Sequence, residues 1–133
     1  MPARILIVED NAANLEVMRY LLCAYGHTVV YASDGEHGVA MARSELPDLI
    51  LCDVQLPGLD GYGVAQRLKG DPACGCKPLI AITALAMVGD RDRVLAAGFD
   101  GYMTKPITPE TFVSEVDSFL APSMRSLAPA ARS

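Results

Sequence analysis

Five short apolar runs, at residues 5–8, 28–32, 49–52, 79–83 and 101–104, alternate with amphipathic stretches along the chain. That alternation is the pattern of a parallel sheet with crossover helices on both faces, and it constrains the fold more than any other feature. Three of the runs are continuously hydrophobic, as strands buried on both faces must be, and these are expected at the centre of the sheet. Between the first two runs, Leu15, Met18, Leu21, Leu22 and Tyr25 recur at helical spacing ahead of Gly26, which suits the left-handed position after a helix end. The spacing predicts further helices over 35–44, 62–68 and 89–97, with Pro47, Gly70 and Gly98 as stop signals. A last helix opens with Thr108 as N-cap, Pro109 at its first position and Glu110 in its first turn, and buries Phe112, Val113, Val116, Phe119 and Leu120.

A length of 133 residues supports one core, not two. We assign residues 1–121 to the domain and 122–133, rich in Ala, Pro, Ser and Arg, to a flexible tail. The longest apolar stretch, 79–88, is interrupted by Thr83 and falls well short of the roughly 20 residues that span a bilayer. The N-terminus lacks the flanks of a secretory signal, so a cytoplasmic location without membrane insertion is expected. A net charge of -5 with no run of Lys or Arg argues against direct binding to nucleic acid or anionic lipid. Cys23 and Cys52 lie in apolar periodic segments and read as buried thiols. Cys74 and Cys76 frame a glycine in a loop; they make a poor zinc site, and an exposed redox-sensitive pair is the lesser option.

The polar residues cluster where an open parallel sheet binds its ligands, outside the carboxyl ends of the strands. Glu9 and Asp10 end the first strand, Asp53 the third and Thr83 the fourth, and Lys105 follows the fifth. Singly, each reads as a helix cap or a surface charge; jointly, they describe one edge. Carboxylates gathered there repel one another, so a proton or a cation must join them at neutral pH. Magnesium suits best, because it is held by one or two carboxylates and leaves room for phosphate oxygens. Glu9 and Asp10 can share an ion only if the strand ends there and the chain turns at Asn11, since neighbours in a regular strand face opposite ways. Asp53 then serves as a nucleophile toward phosphorus, with Lys105 and the cation neutralising the transferring oxygens and the Thr83 hydroxyl beside the product phosphate. His27, at a turn, and His37, in a helix, have no nucleophile partner and read as structural or surface residues.

The segments Val8-Glu9-Asp10-Asn11 with Asn14, Asp53-Val54-Gln55-Leu56-Pro57 with Asp60-Gly61, Thr83-Ala84-Leu85-Ala86-Met87, and Tyr102-Met103-Thr104-Lys105-Pro106 together resemble a two-component response regulator receiver domain. The resemblance runs from about Ile5 to Leu120 and is nearest to stand-alone DivK-type cell-cycle regulators and the receivers of hybrid kinases. It implies a doubly wound α/β fold, flavodoxin-like (βα)5, with strand order 2-1-3-4-5. It further implies that Asp53 is the phosphoacceptor, that Asp10 binds Mg2+ directly, Glu9 through water and Gln55 through its backbone carbonyl, and that Lys105 contacts the phosphate. The Lys105–Pro106 bond is expected to be cis, and Ala84 to leave Asp53 open to its donor. Thr83 and Tyr102 correspond to the family's switch pair, read out on the face of the fourth helix, fifth strand and fifth helix, where Val88, Arg91, Val94 and Leu95 are expected to be partly accessible.

The implied partners are a sensor histidine kinase or histidine phosphotransfer protein and a downstream protein target, since little chain follows Leu120. The implied role is a phosphoacceptor in signalling, not an enzyme acting on other substrates. The alternatives are a relay intermediate that passes the phosphoryl group onward and a docking module indifferent to phosphate. A phosphohydrolase using the same aspartate would need an acid/base carboxylate two positions on, where Gln55 stands. A nucleotide-binding enzyme would need a glycine-rich turn after the first strand, where Glu9 and Asp10 instead repel pyrophosphate.

Overall fold

The computed structural model describes residues 3–75, 77–84, 90–121 and 124. Five strands and five helices alternate: β1 (Arg4–Val8), α1 (Ala12–Ala24), β2 (Thr28–Ala32), α2 (Gly35–Glu45), β3 (Leu49–Asp53), α3 (Gly61–Lys69), β4 (Leu79–Thr83), α4 (Asp90–Ala96), β5 (Gly101–Thr104) and α5 (Pro109–Ser118). All neighbouring strands pair in parallel, in the order β2-β1-β3-β4-β5, the flavodoxin-like arrangement. The three continuous apolar runs are the central strands β1, β3 and β4, and the two flanking strands are only partly buried.

The alternation of side chains along each strand divides the core in two. Leu6, Val8, Ile50, Cys52 and Ala81 face Val39 and Ala42 of α2, Val64, Ala65 and Leu68 of α3, and Val94 of α4. Ile5, Ile7, Leu49, Leu51, Ile80 and Ile82 face Met18 and Leu22 of α1 and Phe112, Val113 and Val116 of α5. Val94, expected on an accessible face, is fully buried, because it is the α4 residue that meets the sheet; Arg91 and Leu95 are exposed. Cys23 is also not buried as expected: one position past Leu22 turns the side chain about 100° around the helix, away from the sheet. Cys52 is buried, and burial holds its thiol far above the ordinary range. Cys74 is buried as well, its Sγ 3.7 Å from the Ala42 carbonyl, which does not fit an exposed redox pair. Cys76, Val88 and Gly89 lie outside the described residues, and of the tail only Met124 is described, packed against the α1/α5 face.

His27 is a structural residue. Its ring is buried, with Nδ1 accepting from the Ala3 N–H at 2.9 Å and Nε2 3.2 Å from Asp117 Oδ1, which ties the start of the sheet to α5. Gly26 and Gly98 take the left-handed conformation after α1 and α4. After α2 the same conformation falls to Leu46, at φ 46°, ahead of the stop signal Pro47. A side chain in that conformation costs about 1 kcal/mol, and this one is half exposed. Leu46→Gly is therefore expected to stabilise the fold by roughly 0.5 kcal/mol, part of the gain being offset by the freer unfolded chain. A urea unfolding midpoint that moves downward would refute this.

Candidate functional site

The site is built by the ends of β1, β3, β4 and β5 and the turns that leave them. β1 stops at Val8, and the Glu9 N–H still donates to the Ala32 carbonyl at 3.0 Å; Glu9 is buried and Asp10, the next residue, is exposed. Asn11 caps α1, its side chain accepting from the Asn14 N–H, and its own N–H donates to Glu9 Oε2 at 3.1 Å. The turn required for Glu9 and Asp10 to serve one site is thus present. Asp53 is the last residue of β3 and is buried. Gly61, opening α3, packs so closely behind it that a Cβ there would lie 2.6 Å from the Asp53 carbonyl oxygen, and only glycine allows that approach.

One carboxylate oxygen each from Glu9, Asp10 and Asp53 come within 4.8 Å of one another. Lys105 enters the group directly, its Nζ 2.7 Å from Asp53 Oδ2 and 3.5 Å from Glu9 Oε1. Asp53 Oδ1 accepts from the Gln55 N–H at 2.9 Å, so both oxygens of Asp53 are held and the carboxylate has one orientation. The Lys105–Pro106 bond is cis, and the Lys105 N–H donates to the Thr83 carbonyl at 2.9 Å. Thr83 is buried at the end of β4, next to exposed Ala84, and Tyr102 is half-buried in β5 with the Arg91 guanidinium 5.9 Å over its ring. Sequence reasoning assigned Lys105 to an incoming phosphate and missed that it already pairs with Asp53, because the reach of a loop lysine is set by tertiary placement.

Charge dominates the energetics here. Burial first, and the neighbouring Asp53 carboxylate second, push the Glu9 carboxyl up to about 7. Burial works against the charge on Lys105, but its bond to Asp53 and the field of Glu9 outweigh that and hold the ammonium above its usual range. Glu9 Oε1 is buried and has no hydrogen-bond donor among the described residues. The site therefore carries more negative charge than its one lysine balances. In the unfolded chain Glu9 ionises near 4.5 and in the metal-free fold near 7, so its burial weakens the fold progressively as pH rises through that window. Glu9→Gln is expected to match the wild type near pH 4 and to exceed it at pH 8, by on the order of 1–2 kcal/mol in metal-free buffer. Equal unfolding midpoints at pH 8 would contradict this.

A cavity of about 560 Å3 has a lining that includes Gln55, whose N–H donates to Asp53, together with Asp60, Tyr62, Thr83, Ala84 and Arg93. Sequence reading offered no signal for Tyr62 or Arg93, since a lone arginine on a short helix reads as a solvated charge.

The chain is similar to known proteins over most of its length. The family described as response regulator receiver domain matches residues 5–117. The polar-differentiation response regulator DivK of Brucella anthropi is 39% identical over 120 residues, covering 90% of this chain and 98% of that protein. The receiver domain of a signal transduction histidine kinase from Syntrophus aciditrophicus is similar in structure, with a TM-score of 0.82 and 32% identity over 96% of this chain and 98% of that one. So is the receiver domain of a sensor histidine kinase from Pseudomonas aeruginosa, which has a magnesium ion coordinated in its active-site cleft, with a TM-score of 0.81 and 34% identity over 90% of this chain and 98% of that one.

Proposed function

The chain belongs to the response regulator receiver family, whose members accept phosphoryl groups in two-component signalling, and from that premise we propose that Asp53 is the acceptor. The observation that carries the reading is the buried Asp53 carboxylate, fixed by Lys105 and Gln55 and crowded by Glu9 and Asp10. An oxygen of Asp53 attacks phosphorus, the bond from phosphorus to the phosphohistidine nitrogen breaks, and the electron pair leaves with the imidazole. Because the carboxylate is held from two sides, little reorientation precedes attack. Lys105, freed from the charge it balanced on Asp53, pairs with the phosphoryl oxygens, and Thr83 offers its hydroxyl from the neighbouring strand end.

The residues fit magnesium: three carboxylate oxygens converge, and Glu9 Oε1 is buried with no hydrogen bond among the described residues, Lys105 Nζ standing 3.5 Å away. Asp10, Asp53 and the Gln55 carbonyl would hold the ion, with Glu9 behind them. Bound there, magnesium supplies positive charge to the phosphoryl oxygens as they transfer.

The output is a change of protein partner. Thr83, drawn toward the new anion, vacates space that the Tyr102 ring fills, and the surface of α4, β5 and α5 changes for a downstream target. Arg91, 5.9 Å over the Tyr102 ring, and Leu95 are among the exposed side chains of α4. Partners upstream are a histidine kinase or a histidine phosphotransfer protein. No helix among the described residues is long and apolar enough to cross a membrane.

The test is chemical. Incubation with a small acyl phosphate and magnesium is expected to place an acid-stable, alkali-labile label on the peptide containing Asp53, and to fail in the presence of a chelator. Label recovered on another residue would overturn the assignment.

A further inference from the structure

Among the described residues, Arg4, Arg19, Arg43 and Arg67 each pair with a carboxylate, whereas Arg91 and Arg93 pair only with aromatic rings. Arg93 lies 5.1 Å over the ring of Tyr62, and Tyr62 is itself braced edge-on by buried Phe99 at 6.5 Å. A guanidinium stacked by its face keeps its N–H edge free, and that edge is the part that binds a carboxylate or phosphate. Arg93 lines the cavity of about 560 Å3 together with Thr83, Ala84 and Gln55, and the Gln55 N–H donates to Asp53 Oδ1 at 2.9 Å. Among the described lining residues the other charged group, Asp60, is occupied as the cap of α3, its Oδ1 accepting from the Gly63 N–H.

An anionic donor approaching this protein meets a net charge of -5 and three clustered carboxylates. Lys105 already answers Asp53. The leaving group departs on the side away from the attacking oxygen and meets neither. We infer that the cavity is a leaving-group subsite and that Arg93 is its specificity determinant, favouring small phosphodonors whose leaving group is an anion, such as acyl phosphates. This rests on Asp53 as acceptor. The step is balanced: an Asp53 oxygen bonds to phosphorus, the bond from phosphorus to the acyl oxygen breaks, and its electron pair departs as a carboxylate facing the Arg93 edge.

The experiment compares acetyl phosphate, which releases acetate, with phosphoramidate, which releases ammonia, on the full chain with magnesium, by intact-mass measurement of the phosphorylated fraction over time. Arg93→Ala is expected to slow labelling by acetyl phosphate roughly two- to fivefold, the range that a solvent-accessible ion pair supports, and to leave phosphoramidate unchanged. Arg93→Lys, which keeps the charge, is expected to recover part of the loss. Equal slowing with both donors would assign Arg93 a packing role and overturn the subsite, as would no slowing with either. Wild-type chain that takes no label, or an Asp53→Asn variant that takes as much, would instead overturn the acceptor assignment and the subsite with it.

Discussion

Asp53→Asn is expected to reduce labelling by a small acyl phosphate to background, without loss of the folded state. An amide has no charged oxygen to attack phosphorus, and the Glu9 carboxylate, buried against Asn11 and Lys105, is not placed to replace it. The substitution also removes one of the converging negative charges, so relief of repulsion offsets the lost ion pair with Lys105. A thermal midpoint equal to or above that of the wild type, together with no alkali-labile label, separates a chemical defect from an unfolded protein. Label that persists in this variant would mean that the cluster of acids serves some other purpose.

Phe112→Ala is expected to cost about 3–5 kcal/mol of stability, the largest effect of a single truncation foreseen here. The ring is fully buried, between α5 and the sheet face formed by Ile7, Leu51, Ile80 and Ile82, and it is among the largest side chains without solvent contact. A cavity lined by these aliphatic side chains would stay empty, and the contacts would be lost outright. Urea unfolding monitored by circular dichroism reads the shift, and a loss under 1 kcal/mol would show that α5 can collapse onto the gap. Because Phe112 belongs to the apolar cluster and not to the group of Glu9, Asp10, Asp53 and Lys105, the folded fraction should still accept phosphate on Asp53. This variant and Asp53→Asn therefore dissociate stability from chemistry in opposite directions.

The order of elements and the central strands were legible because a strand buried on both faces must be apolar throughout, and β1, β3 and β4 are. The convergence of Glu9, Asp10, Asp53, Thr83 and Lys105 was legible for a related reason: in a parallel sheet every strand end lies at the same edge, so position along the chain translates into place. Cys23 and Val94 were misread, since an apolar segment says that one face is buried but not, over a few residues, which one. Leu46 took the left-handed cap position that glycine usually fills, a choice that Pro47 did not announce.

From residue types and their spacing alone came the alternating architecture, the acidic edge and its need for positive charge, because these follow from local periodicity and from Coulomb repulsion. Only the folded chain decided that Lys105 spans from the end of β5 to the Asp53 carboxylate, that Glu9 is buried beside it, and that Arg93 rests on Tyr62 over the neighbouring cavity. Those are contacts between residues dozens of positions apart, and long side chains such as Lys and Arg find their partners only when packing has brought distant elements within their reach.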